Sequence, residues 1–410
     1  MKHLVILTKQ FPYQWREQYV AHELKALTRH FDRVFIYPHD HYKKEDAIRF
    51  ELPAGVEVID LNQHFVPVEK SRIILPFLVA FLVEWMCSKR KWYQVKSWRR
   101  FYSIYATQCA LGNGLMRWQK SRGINSSDVV YYSYWMSASA LCLSLLKRRG
   151  EIPGFVSRAH SVDLYHEDWG LLRDMHSVPP FRCLKEHEVS IVYPISKHGF
   201  MHLSHRGVPK TKLKLHYLGV VDAGLGPRPT DGVFTIVTCS GIDDNKRIHL
   251  LGKALSRQKN AVRWVHFGDG PLRDLAIQSI TSPLVKFECR GQTSNEEIRA
   301  FYSDNAVHCF ANLSIVEGLP VSIMEAMSHG IPVLATAVYG VPEIVLDGYN
   351  GVTLPAQFSD HEVDEALKLF MTHADATELW RRNARSHFEQ YFDADANYEL
   401  FASEISTIKL

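Results

Sequence analysis

The chain reads as an α/β protein of two doubly wound, parallel-sheet domains that face each other across a cleft. Three observations carry that expectation. Short apolar runs alternate with helix-period segments nearly from end to end, as strand-helix-strand units do. At 410 residues the chain is long for one core, and two domains of about 200 residues are the ordinary outcome. The alternation breaks at 222–232, which holds Gly224, Gly226, Gly232, Pro227 and Pro229 with little apolar content and reads as a linker. The domains are then 1–222 and 223–395, with a last helix, 396–410, packing back on the first.

In the first domain the apolar runs Leu4 to Leu7, Val34 to Tyr37, Val56 to Ile59, Val129 to Tyr132, Gly154 to Arg158, Ile191 to Tyr193 and Leu213 to His216 predict strands. Ile73 to Val83 is apolar too, but Pro76 interrupts it, Glu84 closes it, and it falls short of the roughly 18 residues that suggest a membrane span. The second series runs Phe234 to Cys239, Val262 to Phe267, Val285 to Cys289, Val307 to Ala311, Pro332 to Ala335 and Gly351 to Leu354. Helical periods fill His361 to Thr372, Ala376 to Phe392 and Ala396 to Ile408. Six strands with crossovers between them make a complete doubly wound domain, whose ligand belongs beyond the carboxyl ends of its strands.

Composition narrows the function. A net charge of +4 without a recognisable RNA-binding motif argues against nucleic acid. Seven cysteines without a Cys-x-x-Cys spacing fit reduced thiols in the cytoplasm better than a disulfide framework or a zinc site. The apolar part of the first eight residues is too short for a signal peptide and suits a first strand. Asp393-Ala394-Asp395 lies between two helices and reads as a helix start rather than a metal site.

The most informative stretch is 317–325, Glu-Gly-Leu-Pro-Val-Ser-Ile-Met-Glu. Pro320 suits the first helical position and Gly330 a stop after Ser328, which puts Glu317 on a strand-to-helix loop and Glu325 inside the helix. Eight helical steps would separate them by about 12 Å, whereas glycosidase carboxylate pairs stand roughly 5 to 9.5 Å apart. They are better read as separate contacts to one elongated ligand. Gly318, Leu319 and Pro320 form the turn between them, and the helix start offers unpaired N–H groups and a positive dipole end to a phosphate or sugar oxygen. A nucleotide sugar has both. The competing explanation for an isolated Glu pair is a surface helix with two solvated glutamates.

The surrounding pattern decides between them. Ser240 to Lys246, Gly268-Asp269-Gly270, Gly291, Glu317 to Glu325 and Gly340 to Gly351 resemble, in order and spacing, the C-terminal domain of a GT-B glycosyltransferase of the retaining family 4. The fold this implies is two Rossmann-like domains. The first half resembles a subgroup that builds bacterial surface polysaccharides, through Phe11-Pro12, Glu17, Glu23-Leu24, Tyr132-Ser133-Tyr134-Trp135, Ser157-Arg158-Ala159-His160, Asp163-Leu164-Tyr165 and Pro194-Ile195-Ser196.

The resemblance implies that Glu317 contacts donor-sugar hydroxyls, Glu325 the ribose and Lys246 the diphosphate. An ammonium there would offset charge on the leaving nucleotide, an effect worth on the order of 100 to 1,000-fold in rate. His160 matches the family's N-domain histidine near the hexose and acceptor; it could donate to a hydroxyl or phosphate, with its charge state mattering near neutral pH. Arg158 and Asp163 would orient it or pair with each other. Gly268 and Gly270 would make the tight turn that lets ribose or base approach, and Glu343 would be a cap. Two departures stand out. Gly241 occupies the place of a common arginine, which leaves the diphosphate to Lys246, backbone N–H groups and Arg247. Thr8-Lys9-Gln10 replaces a usual Gly-Gly turn.

Lys89, Arg90, Lys91, Lys96, Arg99 and Arg100 interleave with Trp92, Tyr93 and Trp98 without an acid. Two readings stay open: an element lying on an anionic inner membrane leaflet, or a hairpin packed on its own domain with solvated charges. The expectation is a metal-independent, cofactor-free retaining enzyme that moves a hexose from a UDP- or GDP-linked donor to a hydroxyl of a lipid-linked bacterial glycan. It would be cytoplasmic and peripheral on the plasma membrane. The alternatives are another nucleotide-sugar enzyme, such as an epimerase, and an inactive glycan-binding scaffold.

Overall fold

Two six-stranded parallel sheets organise the chain in the computed structural model, which describes residues 2–14, 17–39, 47–60, 66–87, 98–165, 181–230 and 232–409. They belong to two compact units. The first comprises Met1–Ile195, Gly199–His216 and Tyr398–Leu410, the second Ser196–His198 and Tyr217–Asn397.

The first sheet is built from β1 (His3–Thr8), β2 (Arg33–Pro38), β3 (Val56–Val58), β4 (Val129–Ser133), β5 (Val156–Ala159) and β6 (Ile191–Pro194), in the order β3-β2-β1-β4-β5-β6. Its helices are α1 (Tyr19–His30), α2 (Lys70–Cys87), α3 (Trp98–Ser121), α4 (Ala138–Arg148), α5 (Ser161–Leu164), α6 (Arg182–Glu188) and α7 (Lys197–His205). Strands β1 and β4 are buried along their whole length, which is why they read as unbroken apolar runs rather than alternating ones.

The second sheet repeats the plan with β7 (Phe234–Cys239), β8 (Val262–Phe267), β9 (Val285–Cys289), β10 (Cys309–Asn312), β11 (Val333–Thr336) and β12 (Gly351–Leu354), ordered β12-β11-β10-β7-β8-β9. Around it stand α8 (Ile248–Ser256), α9 (Arg273–Gln278), α10 (Asn295–Asp304), α11 (Val321–Ser328), α12 (Val341–Ile344), α13 (Asp360–Thr372) and α14 (Ala374–Tyr391). The last helix is α15 (Ala394–Thr407). Ser294 with Glu297 and Ser359 with Glu362 form capping boxes that start α10 and α13. Trp264, Leu334 and Leu354 on the sheet pack with Leu251 of α8 and Leu367 of α13 in one core. The order reverses between β1 and β4 and between β7 and β10, the switch points where open α/β sheets bind ligands.

The structure differs from the sequence reading in two places. Leu213 to His216 is not a strand; it makes one isolated bridge to Val192 and a second backbone bond from His216 to Pro194, with Lys214 between them exposed. Pro76 does not end the apolar segment: α2 runs through it from Lys70 to Cys87. The stretch 222–230, read as part of a linker, is anchored: Arg385 pairs with Asp222 at 2.5 Å and Arg381 donates to the carbonyls of Gly226 and Pro227. Among the described residues no helix is long and apolar enough to cross a membrane.

Candidate active site

The second switch point is lined from both sides. The loop after β7, Ser240 to Arg247, carries Lys246, and the loop after β10, Leu313 to Pro320, carries Glu317. Asn245 stitches the loops together: its side chain accepts from Val316 N at 2.9 Å and donates to Val316 O at 3.1 Å, while Ile315 N donates to Asn245 O. This brings the Lys246 ammonium onto Glu317 Oε1 in a mostly buried ion pair. Ser314 Oγ at 2.7 Å and Asn312 Nδ2 at 3.3 Å bind the same oxygen. Glu317 Oε2 has no protein partner among the described residues, so one oxygen is held and one is on offer. Residues on both sides of the pair, Cys239, Ser240, Asn312 and Ser314 among them, line a small cavity with room for about one water.

Gly318 and Leu319 continue the loop, and Pro320 is the N-cap of α11 rather than its first helical residue, with Ile323 N bonded to its carbonyl. The Gly318 carbonyl lies 2.0 Å from the place a Cβ on Gly340 would take, which explains a glycine at 340. One turn into the helix, Glu325 is buried and accepts from Asn295 Nδ2 of α10 at 2.8 Å. Burial pushes its carboxyl up to about 7, against a smaller opposing pull from Arg299. Glu317 and Glu325 share no hydrogen-bond partner among the described residues, as separate contacts require.

The remaining second-unit candidates divide. Around Gly241 the space is open, with no atom closer than 3.9 Å to the point where a Cβ would stand. Arg247 is not turned to the Lys246 ammonium; it donates to the carbonyls of Leu313 (2.5 Å), Ala356 (2.8 Å) and Ser314 (3.2 Å) and lies over Phe358, so it braces the loop. Gly268 and Gly270 are glycines because two loops touch backbone to backbone: a Cβ would stand 1.9 Å from Ser240 O at Gly268 and 2.4 Å from Ile242 O at Gly270. Glu343 accepts from the N–H groups of Lys197 and His198 of its own unit, each at 2.7 Å, rather than capping its own helix. Asp393 accepts from Ala396 N at 2.9 Å at the start of α15.

His160 belongs to the first unit, one residue past β5. Its Nε2 lies 3.1 Å from Tyr134 O, its ring stacks at 4.3 Å on Trp135, and Asp163 accepts from its backbone N–H at 3.0 Å. Burial, reinforced by Arg158, pulls the imidazole down to about 3. His160 is therefore neutral at physiological pH, against the expectation of a titrating group, and its single N–H is spent on a carbonyl, which can only accept. Arg158 does not pair with Asp163; it is buried against Glu23 at 3.1 Å. After β1, the N–H groups of Lys9, Gln10 and Phe11 are all taken by the Glu17 carboxylate, so the turn that stands where a Gly-Gly is usual is already filled by an internal anion.

Sequence reasoning misses Asn245, Asn312, Ser314 and Asn295. Asn312-x-Ser314 directly after an apolar run, three residues before Glu317, is a signal that could have found two of them; Asn295 has none, because its partner is 30 residues away. Lys89, Arg90, Lys91 and Lys96 lie outside the described residues, whereas Arg99 and Arg100 are exposed at the start of α3. No group of three or more His, Cys, Asp or Glu placed for a metal occurs among the described residues.

Residues 228–387 match the family model described as glycosyl transferases group 1. The putative colanic acid biosynthesis glycosyltransferase WcaL of Escherichia coli (strain K12) is 30% identical over 246 residues, 54% of this chain and 59% of that protein. Its Salmonella typhimurium counterpart is 26% identical over 232 residues, 53% of this chain and 57% of that protein. The match thus spans little more than half the length of these curated relatives. Among solved structures, Anabaena Alr3699/HepE in complex with UDP-glucose aligns over 100% of both chains with a TM-score of 0.69 and 16% identity. The lipopolysaccharide outer core galactosyltransferase WaaB aligns as fully, at 0.69 and 15%. Residues 228–387 thus match the glycosyl transferases group 1 family, and the chain along its whole length has the two-domain α/β GT-B fold.

Proposed function

We propose that the chain is a retaining hexosyltransferase, using a UDP- or GDP-linked sugar and no metal, that extends a lipid-linked bacterial glycan in surface-polysaccharide synthesis on the inner face of the plasma membrane. The observation that carries this reading is the Lys246–Glu317 pair at the β7/β10 switch point. Lys246 supplies the positive charge that a leaving diphosphate needs, aided by the N-terminus of α11. Glu317 Oε2 accepts from hexose hydroxyls, and Glu325, once ionised, from the ribose. Neutral His160 is assigned to the sugar side of the site through its ring packed on Trp135, its nitrogens being held by Tyr134 O and the Asp163 N–H. The names of the relatives, colanic acid and lipopolysaccharide glycosyltransferases and a UDP-glucose complex, support the class of donor and product.

Calorimetry with UDP, GDP and other nucleotides tests the donor assignment, and silence with every nucleotide would turn the reading to a glycan-binding scaffold. Nucleotide release only when acceptor is present separates transfer from epimerisation. Glu317→Ala should abolish turnover with donor still bound, while Glu325→Ala should mainly weaken donor binding. Equal losses of donor affinity with no separate rate effect would remove the assigned roles.

A further inference from the structure

Helix α2 carries an apolar face that, among the described residues, no part of its own unit covers. Ile74, Leu75, Leu78, Val79, Leu82, Val83 and Met86 are between 43% and 68% exposed. At about 100° per residue these positions fill one half of the helix surface. The other half is docked: Ile73, Phe77 and Ala80 join Phe101 and Tyr105 of α3, Leu141 and Leu145 of α4, and Phe181 and Leu184 in a separate core. Phe77 sits at its centre, with edge-on contacts to Tyr102, Tyr105 and Phe181. Glu84 faces inward too and accepts from Cys183 N at 2.9 Å. The exposed side is thus presented by a braced platform. A helix apolar all round belongs in a core or in a lipid phase, and a contiguous exposed patch of this size marks a contact surface.

The flanking charge selects the occupant. Lys70 at the start of α2 and Arg99 and Arg100 at the start of α3, next in sequence to the 48% exposed Trp98, are exposed cations, while Arg72 is paired with Glu69 at 2.9 Å. Neither helix carries an acid other than inward-facing Glu84. A second copy of the chain would bring cations against cations. An anionic bilayer offers acyl chains to the stripe, phosphates to the cations and the headgroup level to Trp98. The helical rise from Ile74 to Met86 is about 18 Å, too short to cross a hydrocarbon core of about 30 Å.

We infer that α2 lies in the plane of an anionic membrane with its Ile74–Met86 face sunk into the acyl boundary, so that attachment is chiefly hydrophobic and the basic residues only assist. The inference rests on the proposed membrane-borne acceptor for its purpose, but it uses no donor-site residue and is read without donor. The experiment is sedimentation of the full chain with vesicles of phosphatidylcholine plus phosphatidylglycerol, and of phosphatidylcholine alone. It is run in dilute buffer and in about 1 M salt, where charge is screened beyond roughly 3 Å.

Wild type should sediment with the anionic vesicles and keep a bound fraction in high salt. The triple variant Leu75→Glu, Leu78→Glu, Leu82→Glu, whose positions are exposed, should lose binding at least about tenfold in both salts with an unchanged melting curve. Arg99→Gln with Arg100→Gln should weaken binding severalfold in dilute buffer only. No binding by wild type, or equal binding by the triple variant, overturns the inference. So does a concentration-dependent dimer that the triple variant dissolves without vesicles, since the face would then belong to a second copy. In each case nucleotide calorimetry still reports on the transferase reading.

Discussion

Glu317 is held by one oxygen and free by the other, and the residues that hold it are only partly legible in the sequence. The carboxylate itself stands out because a Gly-Leu-Pro turn and a second Glu follow it, whereas Asn245 and Asn295 act through contacts that no spacing reveals. Gly241 is the sharpest residue-scale question, since nothing lies within 3.9 Å of the position its Cβ would take and its φ is not left-handed. Gly241→Arg should therefore fold unchanged and tighten nucleotide-diphosphate binding about tenfold or more, the order of a charge-assisted contact; calorimetry with UDP and GDP checks this. Glu325 gives a pH test. Its carboxyl is raised from 4.5 to about 7, so the empty protein binds an extra proton relative to the unfolded chain between those values. The stability tied to that proton is full below about pH 4.5 and is lost as pH rises through 7, a loss of about 3 kcal/mol in all. On the proposed ribose contact, donor binding uses the ionised form and should strengthen as pH rises from 6 to 8, while Glu325→Gln should flatten both profiles in urea melts and titrations.

At the scale of elements, β7, β8, β9 and β12 begin and end where their sequence runs do; for β7 and β8, buried over nearly their whole length, hydrophobicity alone writes those limits. Leu213 to His216 carries a similar run but makes only two backbone bonds to β6 and one isolated bridge. Pro76 misleads in the other direction: a proline removes one hydrogen bond and one turn of regularity, and the packing of Phe77 on three aromatic rings holds the helix through it. The glycines after β8, which read as a ligand turn, also sit where a neighbouring loop leaves no room for a Cβ. Gly268 has φ +129° and would set a methyl 1.9 Å from Ser240 O. Gly268→Ala should destabilise the second unit by about 3 kcal/mol or more and displace the Ser240–Lys246 loop, so the urea midpoint and the nucleotide affinity should fall together. Gly291→Ala, where nothing lies within 4 Å, should cost only about 1 kcal/mol from its left-handed φ of +68° and leave affinity intact. Equal effects from the two substitutions would count against loop-to-loop packing as the cause.

For the whole molecule, two units with the same strand order follow from one repeated alternation, and that much is open to a reader of the sequence. The way the chain's end closes the first unit is not, because it depends on a buried ion pair between distant residues. Arg158 on β5 lies 3.1 Å from Glu23 on α1, donates to Tyr132 Oη at 2.9 Å and sits 3.8 Å over the ring of Phe401 from α15. The pairing is imperfect: Glu23 Oε1 and Arg158 Nη2 are buried without hydrogen-bond partners, and burial raises the Glu23 carboxyl in spite of the guanidinium. Removing one member strands the other's charge, so Arg158→Met should destabilise the first unit by about 3 to 5 kcal/mol. Removing both trades an under-satisfied pair for apolar contact, and Glu23→Leu with Arg158→Met should cost less than Arg158→Met alone. Urea unfolding followed by hydrogen exchange in β5 and α15 measures the cycle, with protection in β7 and β10 unchanged as the control. Additive losses in the double variant would mean that Glu23 and Arg158 act separately, and that Phe401 packs on a guanidinium whose charge is immaterial to how the last helix is held.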